Sequence, residues 1–127
     1  MKNKIDAVKD FHKAFKIGYL EEPKADLGQE KNMLRYKLMR EENEEYLDAA
    51  NDNDLVEVAD ALGDMLYILC GTIIEHGMQH KIEEVFNEIQ RSNMSKLGED
   101  GRPIYREDGK VLKGPDYWPP DLESVLF

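Results

Sequence analysis

The chain has 127 residues, 41% of them hydrophobic and 35% charged, with a formal net charge of −10. That length suits one domain with a core of its own, and the mixture suits a helix-rich globular protein. The acidic excess argues against broad binding to duplex nucleic acid or an anionic membrane, since either needs a basic face. A nucleotide held through a metal ion and a few local cations remains compatible with it. No apolar run approaches the roughly 20 residues of a membrane span, and the polar N-terminus lacks a signal-peptide pattern. The single cysteine, Cys70, has no partner for an intrachain disulfide and reads as a small core residue. A reducing, cytoplasmic setting is the expectation.

Ile5, Val8, Phe11 and Phe15 recur at helical spacing and predict an amphipathic helix over 2–17, ended near Gly18. His12 falls on its edge, as a surface or partly packed residue. Residues 18–28, with Pro23 and Gly28, read as a loop. A long helix follows over 29–50, with Met33, Leu34 and Leu38 at helical spacing and Arg35, Lys37 and Arg40 ahead of Glu41-Glu42-Asn43-Glu44-Glu45. Asn51-Asp52-Asn53 is a polar turn. The next helix spans 54–75, and Gly77 ends it.

Asp54-Leu55-Val56-Glu57 fits a capping box, with Asp54 as N-cap and Glu57 at the third helical position. Between Met65 and Ile74 this helix is apolar nearly all round, which implies burial on several sides and, in so small a chain, cover from a second subunit. A fourth helix over 80–94 turns Ile82, Val85, Phe86 and Ile89 inward, with His76 and His80 as cap or surface residues at the preceding turn. Residues 104–107 and 110–113 predict a β-hairpin around a two-residue Asp108-Gly109 turn. An aromatic segment over 114–120 follows, and Asp121 caps a last helical turn. The predicted fold is all-α: one domain, a four- to five-helix bundle with a helical core over 2–95 and a hairpin and aromatic tail over 96–127, dimerising through its central helices.

Two acidic clusters stand out within this frame. Glu42 and Glu45 share a face of the long helix, and Glu57, Asp60 and Asp64 share a face of the next. Acidic runs on helices are commonly just solvated. Asp60 and Asp64, however, border the apolar stripe mid-helix, where Asp is a mediocre helix former and where ionised carboxylates are costly to desolvate. No Lys or Arg lies between Glu41 and Lys81, so a hard divalent cation is the natural neutraliser. An EF-hand loop, a Glu-x-x-His di-iron pattern, a P-loop and a dinucleotide-binding glycine fingerprint are all absent from the sequence. Carboxylate-held metal, with Arg91, Lys96, Arg106, Lys110 and Lys113 later in the chain, suits hydrolysis of a phosphoanhydride.

Glu-Glu-x-x-Glu at 41–45, a short turn, and an acidic helix with Leu62-Gly63-Asp64 followed by Met65-Leu66-Tyr67 resemble the MazG-like all-α nucleoside triphosphate pyrophosphohydrolases. The tail, Arg91-Ser92-Asn93-Met94-Ser95-Lys96-Leu97 and then residues 106–115, resembles the phosphoribosyl-ATP pyrophosphohydrolase-like branch, which includes dUTP-hydrolysing members. The resemblance implies a bundle of that type and the reaction (d)NTP + H2O → (d)NMP + pyrophosphate, on dUTP or non-standard nucleotides among others, with Mg2+ or Mn2+ as cofactor. It implies that Glu42, Glu45 and Asp64 hold the metal, with Asp60 and Glu41 completing a second position. Literal family spacing would pair Glu57 with Asp60, but Asp64 is the residue followed by the apolar run, and Ala61 stands where that register has Glu.

Glu41 or Glu45 would orient the water as base. Asn93, Lys96 and Lys113 would meet phosphate or sugar, and Tyr67, Tyr117 or Trp118 would stack the base. Implied partners are a nucleoside triphosphate and a second copy of the chain, as a homodimer or a homotetramer. Phosphoribosyl-ATP as substrate, and a non-enzymatic acidic interaction module, are the alternatives.

Overall fold

Helix α3 (Leu55–Glu75) carries most of the buried side chains of the first eighty residues, and α1 (Lys2–Ala14) and α2 (Gln29–Asn51) both pack against it. The computed structural model describes all 127 residues. They form two compact units, Met1–His80 and Lys81–Phe127.

In the first unit, Ile5 and Val8 of α1 and Ala49 of α2 are buried with Ala61, Cys70, Ile73 and Ile74 of α3. Cys70 is the small core residue its setting in the sequence predicts, and burial pushes its thiol pKa up. Helix α3 opens on Asp54, whose Oδ1 accepts the Glu57 N–H at 3.1 Å. The return half of the expected capping box is not made, because the Asp54 N–H is already given to the Ala49 carbonyl at 3.0 Å. The Glu57 carboxylate is therefore exposed and uncommitted. Asp54→Ala is expected to lower stability by about 1 kcal/mol, whereas Glu57→Gln should stay within about 0.5 kcal/mol of wild type. Urea denaturation checks both.

At its other end α3 is strapped by the loop that follows α1. Leu20 N–H bonds the Ile74 carbonyl at 3.0 Å, Lys24 N–H bonds the His76 carbonyl at 2.9 Å, and Gln79 Nε2 donates to the Leu20 carbonyl at 2.7 Å. His76 Nδ1 lies 2.8 Å from the Lys24 carbonyl, so that nitrogen carries the proton. His80 Nε2 meets Glu21 Oε2 at 2.9 Å. Gly77 is required here twice over: its φ is +69°, and a Cβ would lie 2.1 Å from the Glu22 carbonyl oxygen. His12 goes deeper than an edge position suggests. It is buried, with Nδ1 3.0 Å from the Gly18 carbonyl and its ring against Gly71, where a Cβ would come within 2.9 Å of Nε2.

The apolar girth of α3 is only partly covered within the chain. Leu62 is 50% exposed and Leu69 43%, and Met33 and Leu34 on α2 are about as open at 47% and 51%.

The second unit contains α4 (Ile82–Met94), the tail and α5 (Leu122–Leu126). Glu88 and Ser92 are buried polar residues of α4 that tie down the tail. Ser92 Oγ donates to the Trp118 carbonyl at 2.9 Å, and Glu88 Oε1 accepts the Asp121 N–H at 3.1 Å. Asp121 caps α5 as expected, accepting the Ser124 N–H at 3.2 Å.

The expected hairpin is reduced to one antiparallel bridge between Tyr105 and Val111, flanked by Arg106 N–H to the Lys110 carbonyl (2.8 Å) and Leu112 N–H to the Ile104 carbonyl (2.7 Å). Its loop has three residues instead of two. Gly109 takes the left-handed position at φ +87° and donates back to the Arg106 carbonyl at 2.9 Å, the arrangement a three-residue loop demands. The Asp108 carboxylate fills the turn by accepting from the Arg106 guanidinium and the Lys110 N–H. No helix is long and apolar enough to cross a membrane.

Candidate active site

A three-residue turn folds α3 back beside α2. Asn53 takes the left-handed conformation there, at φ +55°, which its short polar side chain tolerates. The C-terminal half of α2 consequently faces the first half of α3, and carboxylates from both meet. Glu42 is half-buried, and its pKa is pushed up to about 7. Burial contributes most; the close approach of the Glu45 carboxylate comes next, and the charges of Asp64 and Asp60 follow. Glu42 Oε2 is buried without any hydrogen-bond partner.

Of the other acidic residues singled out in the sequence, Glu45, Asp60 and Asp64 thus act on Glu42. Glu41 stands exposed beside them on α2. The cation nearest in sequence, Arg40, is drawn off by Glu44 at 3.5 Å on the exposed side of the helix. Glu57 is not among the charges that reach Glu42.

As the side chains stand, no three of these acids converge on a single ion-sized point. Their chemistry nevertheless fits a hard cation: every donor is a carboxylate oxygen, one is buried and unsatisfied, and a positive charge would reverse the repulsion that raises Glu42. The raised pKa carries a pH signature. A carboxyl whose folded pKa lies above its unfolded value favours folding fully below the unfolded pKa, and that contribution is lost as pH rises through the folded value. With divalent ions removed, stability is therefore expected to fall between pH 5 and pH 8, on the order of 1 kcal/mol after solvent screening. Glu42→Gln should flatten the dependence. Urea titrations in chelator at the two pH values check this.

The other end of the α2–α3 pair holds a buried ion network with no local signature among its residues. Glu75 is 3% exposed and meets Lys31 Nζ at 3.1 Å and Arg35 Nε at 3.0 Å. Arg35 also donates to Thr72 Oγ1 (2.9 Å) and the Ile68 carbonyl (2.7 Å). Burial pulls the Arg35 pKa down, and the Glu75 charge counters it.

Of the residues expected to bind substrate, Tyr67 belongs to the first unit. It is 42% exposed, edge-on to Phe11 at 5.6 Å between ring centroids, so core packing does not claim it. Asn93, Lys96, Lys113 and Trp118 belong to the second unit. Asn93 is exposed on the last turn of α4, and the Gly114 N–H to Lys96 carbonyl bond, at 2.8 Å, brings Lys96 beside the segment carrying Lys113. Lys113 Nζ lies 4.8 Å over the Tyr117 ring, and the Arg91 guanidinium 5.1 Å over Trp118.

An all-helical chain in which paired acids from two helices face one another across a short turn has the architecture of the MazG-like nucleotide pyrophosphohydrolases. The chain is similar to a solved structure of that class, a candidate NTP pyrophosphohydrolase from Exiguobacterium sp. 255-15. The two are 27% identical, the match covers 97% of this chain and 93% of that one, and the TM-score is 0.52. The family model of phosphoribosyl-ATP pyrophosphohydrolase matches residues 8–93, and the chain belongs to that family. No curated protein matches it in sequence. It is accordingly a nucleotide pyrophosphohydrolase, which sets aside the reading as a non-enzymatic interaction module.

Proposed function

We propose that the protein hydrolyses a (d)NTP to (d)NMP and pyrophosphate with Mg2+, or Mn2+ in its place. The observation that carries this reading is the buried, unpartnered Glu42 oxygen set among three further carboxylates. Glu42, Glu45 and Asp64 would hold the ion, with Asp60 and Glu41 at a second position. When bound, such an ion neutralises phosphate oxygens and lowers the pKa of water at neutral pH.

The chain's own part is to place the water and receive its proton. Glu41 or Glu45 accepts that proton as the water oxygen bonds to phosphorus and the bridge between the α- and β-phosphates breaks. Tyr67, on the unit that carries the acids, would meet the base. The substrates include dUTP or non-standard nucleotides. A second reading, phosphoribosyl-ATP as substrate, is favoured by the family model itself.

One assay separates these: pyrophosphate release from dUTP, the other (d)NTPs and phosphoribosyl-ATP, each with magnesium and with excess chelator. Hydrolysis that needs magnesium is expected. Release unaffected by chelator would remove the metal, and no release from any nucleotide would remove the activity.

The open leucines of α2 and α3 support a homodimer, or a tetramer built from two. A monomeric sedimentation profile at micromolar protein would refute the assembly.

A further inference from the structure

We infer that Phe11, Phe15 and Tyr67 form the platform on which the nucleobase of the substrate stacks, a subsite that rests on the nucleotide reading above. Phe11 and Phe15 stand one helical turn apart, with ring centroids at 4.4 Å and planes tilted by 33°. Tyr67 meets the edge of Phe11 at 5.6 Å and 87°, so three rings from two helices form one cluster. The cluster is open to solvent: Phe11 is 38% exposed, Tyr67 42% and Phe15 66%. A contiguous aromatic patch left in water is a binding surface more often than an accident of composition.

The position of the patch indicates what binds there. Tyr67 follows Asp64 by three residues on α3, so the two are neighbours on the helix surface. Helical side chains lean over the turn N-terminal to their own Cα, which carries the Tyr67 ring toward Asp64. Flat apolar faces and acidic groups suited to a phosphate-bound cation therefore adjoin on one compact unit. A nucleotide has the same two ends, an aromatic base and a polyphosphate. Because every base presents a π-face, stacking of this kind serves purines and pyrimidines alike.

The test uses the full chain with magnesium and three ligands in titration calorimetry: dUMP, AMP, and pyrophosphate as the ligand without a base. Phe15→Leu, at the most exposed of the rings, is expected to weaken both nucleotides about tenfold while leaving pyrophosphate within about twofold. Phe15→Tyr, which keeps a ring, should restore nucleotide binding. Phe11→Leu provides the second reading of the same effect.

Nucleotide binding unchanged in both leucine variants would overturn the platform. So would an equal loss of nucleotide and pyrophosphate, or a fall in sedimentation to monomer with nucleotide affinity intact. A wild type that binds both monophosphates through the rings yet releases pyrophosphate from no nucleotide would support the platform and sink the hydrolase reading. An active wild type with ring-independent affinity would do the reverse.

Discussion

Asp64→Asn is expected to abolish pyrophosphate release while leaving the helical circular dichroism unchanged, and Glu45→Gln should do the same. Each amide keeps the volume and shape of the acid it replaces and removes only the charge and one acceptor oxygen. If these carboxylates hold the ion, the loss should exceed the roughly 10–100-fold that follows removal of a merely supporting group. A second readout accompanies the first. Asp64 is one of the charges that raise Glu42, so Asp64→Asn should make the chelated protein less sensitive to pH between 5 and 8. Wild-type turnover in both variants would remove the acidic cluster from the mechanism. Glu57→Gln decides the register: because the cap belongs to the Asp54 side chain and the Glu57 backbone, that variant should fold normally. If it were also inactive, Glu57 would displace Asp64 as the α3 ligand.

Glu75→Ala should produce the largest loss of stability from a single substitution, about 3–5 kcal/mol. It would leave Arg35, whose side chain is only 10% exposed, facing an uncompensated gap. That is a large share of the roughly 5–15 kcal/mol that keeps a domain folded. The cost comes from stranding a charge, so removing both partners should be far milder. Glu75→Leu with Arg35→Met is expected to recover most of the loss, since apolar replacements of a buried pair are often neutral. Urea denaturation of the single and double variants measures it. A Glu75→Ala protein within 1 kcal/mol of wild type would show the pair to be solvated in solution.

What could be read from the sequence was what repeats locally. The long helices were legible because Leu and Met recur at their period, and the Asn51-Asp52-Asn53 turn because its residues tolerate left-handed backbone. The approach of Asp60 and Asp64 to Glu42 and Glu45 followed from helical spacing plus one short connection. The Arg35–Glu75 pair did not: its members lie forty positions apart on different helices. His12 was misjudged for a related reason, since the close approach that buries it depends on Gly71 of another helix. The tail loop needed the backbone itself, because Asp108-Gly109 is compatible with two- and three-residue turns alike. The capping box failed on competition: the Ala49 carbonyl takes the N–H that Glu57 would have received.

The clamp at the C-terminal end of α3 also sets how the pair of helices can move. Its last two turns are pinned by the Arg35 bonds and by the loop bonded to Ile74 and His76, whereas its first half faces α2 across like charges that oppose the packing of Ala61. Amide exchange should therefore be graded along the helix, slowest over 68–75 and fastest over 57–64. The protein would then have a stiff hinge end and a compliant mouth, and the mouth is where side chains must rearrange to grip what enters.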